Sequence, residues 1–121
     1  MNVQSWQVPI KATWHRSNTL VELAYDLDGV ELVLIEEETR QRWHIEFLEV
    51  AGVKVITEDY MEWSIVQVPP DGGFFIMTES PWIAALGLTE TSDQDTPHHY
   101  LICCRSELIE IIAHEVTFNP A

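Results

Sequence analysis

Cys103 and Cys104 share a short stretch of chain with His98, His99 and His114. A thiol and a base able to take its proton are the parts of a nucleophilic site. The spacing selects no particular pair, no G-x-S-x-G elbow is present, and vicinal cysteines in an apolar segment are packing residues. A metal site would need His44, His98, His99 and His114 to converge with Glu46 or Glu115. His98 and His99 are neighbours and project to opposite faces of a strand, and the spacings of zinc fingers and of H-E-x-x-H are absent. The expected role of His99 is a ring flanking a sheet, its N–H satisfied by a carbonyl. Gly72-Gly73 is followed by no Lys-Ser/Thr pair and reads as a turn, not a phosphate cradle. No catalytic residue, metal ligand or cofactor is assigned on these grounds.

Two features point to binding. Glu36, Glu37 and Glu38 form an acidic run that would attract a basic partner, against the plainer reading of a solvated turn. Trp6 and Trp14 lie with Lys11 on a segment interrupted by Pro9, which marks a sheet edge or a strap, and exposed aromatics there suit an interface. Trp43 and Trp82 are expected in the core, and a pocket lined by Trp6, Trp14, Trp63 and Trp82 is the small-molecule alternative.

Charge narrows the partner classes. Twenty acidic residues face six basic ones, for a formal net charge of −14. Phosphate backbones and anionic membranes repel such a chain. Residues 1–19 carry Lys11 and Arg16 and no acid, whereas residues 20–65 carry twelve acids against Arg40, Arg42 and Lys54. The early segment is therefore expected to lie on the acidic body, within one chain or between two copies. Adjacent cysteines pair only through a strained turn, so free thiols in a reducing compartment are expected. The N-terminus shows no signal-peptide pattern and no apolar run reaches membrane-span length, giving a cytoplasmic expectation.

The elements that must position these residues are mostly strands. Alternation of Trp6, Val8, Ile10, Ala12 and Trp14 predicts an extended segment over 5–14 with one buried face. Val21, Leu23, Tyr25 and Leu27 alternate likewise, Val30 to Ile35 follows, and Asp28-Gly29 between them predicts a two-residue hairpin turn. Trp43, Ile45 and Phe47 face one way and His44 and Glu46 the other; Ala51-Gly52 is expected to end that strand before a short one over 53–56. A helical turn over 57–63, an extended 65–68, a turn at Pro69–Gly73 and a strand over 74–77 come next. Ser80 as cap, Pro81 at the first helical position and Gly87 as terminator predict a short helix near 80–87. Residues 88–97 read as a polar loop. His98 to Cys104 should be a strand with Tyr100 and Ile102 opposite Leu101 and Cys103. Residues 106–115 fit helical spacing, but three isoleucines and a short link favour another strand.

His99-Tyr100-Leu101-Ile102 followed by Ile109-Glu110-Ile111-Ile112-Ala113, behind a short helix that begins with a tryptophan, resembles small bacterial proteins with a "HYLI … IEVIA" ending. The resemblance implies a mainly β fold with strands in the C-terminal stretch, and no activity. The fold class is thus α+β, mainly β: one domain over 1–121, a curved antiparallel sheet of six to eight strands, in two layers or as a partly open barrel, with one short helix. The expected function is that of a non-enzymatic bacterial interaction protein, like an immunity protein or antitoxin, whose acidic surface meets a basic protein. A small-molecule binder and a metal-dependent or Cys/His hydrolase are the alternatives, and a homodimer is compatible with the uncovered edges.

Overall fold

The computed structural model describes residues 2–11, 17–57, 72–89 and 97–121. Trp14, Trp63, the turn expected over 57–63, the strand over 65–68 and most of the 88–97 loop lie outside that set. The described chain forms β1 (Asn2–Ser5), β2 (Asn18–Asp26), β3 (Gly29–Glu36), β4 (Arg42–Thr57), β5 (Phe74–Thr78), α1 (Pro81–Ala85), β6 (His98–Cys103) and β7 (Glu107–Pro120). The seven strands make one antiparallel sheet in the order β1-β5-β6-β7-β4-β3-β2. The mainly β fold with one short helix is as the residue pattern implies. Residues 107–120 are strand throughout, so the isoleucines prevail over the helical spacing of 106–115.

The sheet coils around its own core. Val30, Leu32 and Leu34 of β3, Ile45 and Phe47 of β4, Tyr100 and Ile102 of β6, and Ile109 and Ile111 of β7 share one buried cluster. Side chains of period two make this face continuous from strand to strand. A second cluster on the opposite face joins Phe75, Met77, Leu101, Cys103 and Leu108. Coiling brings the start of β2 to the β6–β7 turn, where the Arg105 N–H donates to the Asn18 carbonyl at 2.8 Å. The β2 edge of the open sheet thus folds back onto the turn of two interior strands.

Four local expectations are corrected. Residues 53–56 do not form a separate strand: β4 runs unbroken to Thr57, and Ala51-Gly52 is a bulge where the register against β7 shifts. Glu49, with φ of 52°, bends the strand beside it. Of the segment 5–14, residues 6–11 are not strand and 12–14 lie outside the described residues; β1 is shorter and earlier. From Trp6 the chain is a strap whose Trp6, Val8 and Ile10 still turn into the core. A bulge between Leu20 and Glu22 changes the parity of β2, so Leu20 and Leu23 pack inward while Val21 is exposed. The hairpin turn is Leu27-Asp28, because Asp26 pairs with Gly29.

That turn avoids the double left-handed conformation of a type I′ turn, since neither Leu27 nor Asp28 has positive φ. The Asp26 carboxylate instead accepts the N–H groups of Asp28 and Gly29 at 2.7 and 3.2 Å, an Asx arrangement. Gly29 then enters β3 at φ of 145°, where an added Cβ would lie 2.0 Å from the Phe47 carbonyl oxygen. Backbone cannot yield as a flexible side chain does. Gly29→Ala is expected to destabilise the protein by about 2–4 kcal/mol, against about 1 kcal/mol for Asp26→Ala. Urea unfolding of the two variants checks the order.

Candidate functional site

The second face of the sheet carries the most concentrated chemistry among the described residues. His99 of β6 and Glu110 of β7 lie on that face, because Leu101 pairs with Glu110 and His99 with Ile112. Lys54 of β4 pairs with Glu110 from the other side. Helix α1 is placed against them by its own capping. Ser80 accepts the Ile83 N–H at 3.2 Å, Pro81 fills the first position and Gly87 closes the end at φ of 74°. Trp82 sits over Gly52, where a Cβ would come within 2.6 Å of the indole. The bulge glycine therefore makes the seat for the helix.

A chain of hydrogen bonds results. Ser80 Oγ is 2.6 Å from His99 Nδ1, and His99 Nε2 is 2.9 Å from Glu110 Oε1. Lys54 Nζ stands 3.6 Å from Glu110 Oε2 and 4.7 Å from the centre of the Trp82 ring, while Trp82 meets His99 edge-on. Burial is close to complete: Ser80 is 3% exposed, His99 2% and Glu110 7%. Burial would raise the Glu110 pKa, but the hydrogen bond from His99 and the charge of Lys54 outweigh it and hold the carboxyl below its ordinary value. An ionised Glu110 accepts from Nε2–H, which leaves Nδ1 to accept the Ser80 hydroxyl. Every polar atom in the chain then has a role.

Serine, histidine and glutamate in relay are also the parts of an acyl-transfer site. Two observations assign them otherwise here. The Ser80 oxygen is already occupied in capping α1, and its burial keeps a substrate carbonyl from reaching it. The arrangement does the work of a latch, tying the helix to β6, β7 and β4 through charge-assisted bonds shielded from water. Sequence reading gave Ser80 its cap but assigned His99 to a carbonyl and overlooked Glu110. The available signal was Glu110 as the one acid within the Leu108–Ala113 apolar run, on the face His99 occupies once a tight 103–107 hairpin is drawn.

The other expected site residues fall elsewhere. Trp6 is half-buried, with ring centres 4.6 Å from Tyr100, 5.3 Å from Phe118 and 6.1 Å from Phe74. Lys11 forms an ion pair with Glu38 at 2.7 Å, so the early basic segment meets the acidic body within one chain. Glu37 accepts from Thr19 Oγ1 at 2.6 Å and pairs with Arg105 at 3.3 Å; these bonds lower its pKa. Glu36 is not part of a solvated turn: it ends β3 and is buried. Trp14 lies outside the described residues. Cys103 and Cys104 are buried free thiols; burial pushes Cys103 up to about 12 and raises Cys104 further. Such thiols are poor nucleophiles. No three His, Cys, Asp or Glu side chains among the described residues converge on one point.

The cleft beside Trp6, Val8, Ile10 and Phe74 has a volume of about 130 Å³, well short of the roughly 300–1,000 Å³ of drug-sized ligand sites. A second cleft, of about 150 Å³, is acidic and lined by Asp26, Asp28, Glu31 and Glu46. No helix among the described residues is long and apolar enough to cross a membrane. Comparison with protein-family models, with curated proteins and with solved structures finds no match to this chain.

Two predictions follow from this geometry. A carboxyl with a depressed folded pKa stabilises the protein above its unfolded pKa, and that contribution disappears as pH falls through the folded value. Glu110→Gln should therefore cost about 1–3 kcal/mol near neutral pH, and the gap to wild type should close as pH drops below the ordinary carboxyl value of 4.5. Chemical denaturation across that range reads it, and a gap independent of pH refutes the role given to Glu110. Both cysteines should resist a thiol reagent such as DTNB in the native protein and react at once after unfolding.

Proposed function

We propose that this chain is a protein-interaction module whose acidic β2–β3–β4 surface receives a basic protein. The observation that carries the reading is the cross-strand pair Glu31–Glu46. These two carboxylates are direct partners in the β3–β4 ladder, on the face away from the core. Like charges directly opposite one another are destabilising, and here Asp26 and Asp28 add to them around one notch of about 150 Å³. The nearest cationic candidate is His44, 3.5 Å from Glu31. A local rule broken with one histidine beside it suits a surface completed by something else. The notch is small enough to take one lysine or arginine head.

The neighbouring edge suits the same use. Among the described residues β2 ends the sheet and pairs with β3 alone, and Val21, Tyr25 and Leu27 are exposed along it and at its turn. An uncovered edge beside a charged notch offers apolar contact and backbone pairing together with a source of specificity. A second copy of this chain would bring like charge to the surface, so a basic partner is favoured over a homodimer here. Nucleic acid and anionic lipid would be repelled on the same ground. An inhibitor that masks a basic enzyme, as an immunity or antitoxin protein does, has the required chemistry, and the free thiols suit the reducing interior of a bacterial cell.

Glu31→Lys with Glu46→Lys replaces the notch charge while sparing the core. Affinity capture from the native host should recover a basic protein with wild type at low ionic strength, lose it at elevated salt, and lose it with the double variant. Identical recovery by wild type and variant would refute the proposal.

A further inference from the structure

The direction of backbone pairing shows what the β2 edge can accept. The Glu37 N–H donates to the Ser17 carbonyl and the Arg105 N–H to the Asn18 carbonyl, so Ser17 bonds toward β3 and Asn18 away from it. Residues of an antiparallel pair alternate in this way. Carried along β3, which loses no residue at the bulge, the alternation has Ala24 bond to its partner Glu31. Leu23 and Tyr25, opposite Leu32 and Val30, then turn their N–H and C=O groups away from the sheet. No strand among the described residues pairs with that side of β2. The bulge between Leu20 and Glu22 limits the free stretch to residues 22–26. Sheet edges are commonly guarded by lysine, by proline or by brevity. β1, at the other edge, has four residues, whereas β2 has nine and no lysine, arginine or proline among them.

The two faces of this stretch call for different neighbours. On the core side Leu23 is partly buried, while Tyr25, opposite the fully buried Val30, is 63% exposed. An apolar side chain laid beside them would extend the core face by one strand. On the other side the registers set Ala24, Glu31 and Glu46 in one row across β2, β3 and β4. Ala24 is exposed, and its methyl leaves that row open toward the edge. A residue on a strand added beside β2 would start about 10 Å from Glu31, two strand spacings away. A lysine stem lying over Ala24, met by the Glu31 side chain, covers that distance and keeps the ammonium among the carboxylates. A second copy pairing antiparallel about Ala24 would set Glu22 against Asp26, so like charge disfavours self-association.

We propose that the β2 edge binds an extended segment of a basic protein in which apolar and basic residues alternate, adding a strand to the sheet. Its apolar residues lie beside Leu23 and Tyr25 and exchange backbone hydrogen bonds with them, and a lysine or arginine crosses Ala24 to reach Glu31 and Glu46. This mode of binding rests on the acidic notch being a docking surface, and it fixes the pattern of segment that can dock there.

Hydrogen exchange read by NMR on the full chain tests it, with a capped peptide of alternating valine and lysine as the probe. In the free protein the Leu23 and Tyr25 amides should exchange about tenfold faster than that of Ala24, or more. The peptide should slow both by about tenfold or more at low ionic strength. The same peptide N-methylated at its valines keeps its charge but loses those donors, and should leave both amides unchanged. Glu31→Lys with Glu46→Lys should abolish the protection. If the N-methylated peptide binds as tightly as its parent, edge pairing is overturned and the acidic surface stands as a docking site held by charge alone. Protection unchanged in the double variant sinks the acidic reading itself, and the edge mode with it. Leu23 and Tyr25 amides as protected as Ala24 in the free chain overturn the proposal, because this chain or a second copy would already cover the edge. No slowing of either amide at millimolar peptide overturns it as well.

Discussion

The bend in the β4–β7 ribbon is the constraint on which the rest of the structure depends. β4 and β7 pair from Trp43–Pro120 to Thr57–Glu107, and the register shifts between Val50 and Gly52. A straight ribbon of that length would turn one face inward and leave the other half of its apolar residues in water. The extra residue reverses the parity of β4, so Val50 and Val53 on either side of it both reach the core, while on β7 the change falls between Ala113 and Val116, opposite Glu49 with its positive φ. Bulges increase local twist, and the coiling they permit brings Asn18 to the β6–β7 turn. The same bulge places Gly52 where Trp82 can lie on bare backbone. Core closure and helix docking thus share one irregularity.

Period-two burial was legible in the sequence wherever a strand was regular. Trp43, Ile45 and Phe47, and Tyr100 with Ile102, face the core as their alternation requires. The helix was legible from Ser80, Pro81 and Gly87, because capping chemistry is local. What remained hidden depended on irregularity or on partners distant in sequence. The bulge at Val21 inverts the expected face of β2, and no residue type marks it. Asp28-Gly29 carries the composition of a type I′ turn, yet the Asp26 carboxylate shifts the turn by one residue. Ala51-Gly52 reads as a break because glycine weakens strands in isolation; the long partner β7 carries β4 through it. Glu36 reads as solvated beside two further glutamates, whereas strand parity takes it inward.

Electrostatic organisation follows from how few cations the chain has. Lys11, Lys54 and Arg105 are each engaged with a glutamate, Glu38, Glu110 and Glu37 respectively. Two of these pairs are exposed and contribute little to stability; they hold the strap and the coiled edge to the turn after β3. The third is half-buried and supports the latch. Little positive charge is left for the hairpin end, where Asp26, Asp28, Glu31 and Glu46 gather. The surface field there is a consequence of spending scarce cations elsewhere, and its concentration beside an uncovered strand gives the charge a direction that composition alone does not.

The chain buries two polar groups of opposite character. Around His99 each donor meets an acceptor, the charge of Glu110 is balanced by Lys54, and the result holds a five-residue helix that could not persist in isolation. Around Asn18 the side-chain amide, Glu36 Oε1 and Trp43 Nε1 are buried without a hydrogen-bond partner among the described residues. A fully satisfied network stabilises one arrangement, whereas buried polar groups left unpaired cost stability. Both lie at the margins of the same coiled sheet, one on each face of it. The sheet therefore separates a face tied by internal bonds from an interior end where polar groups are buried unpaired, and the acidic hairpin tip is a third region, where charge gathers.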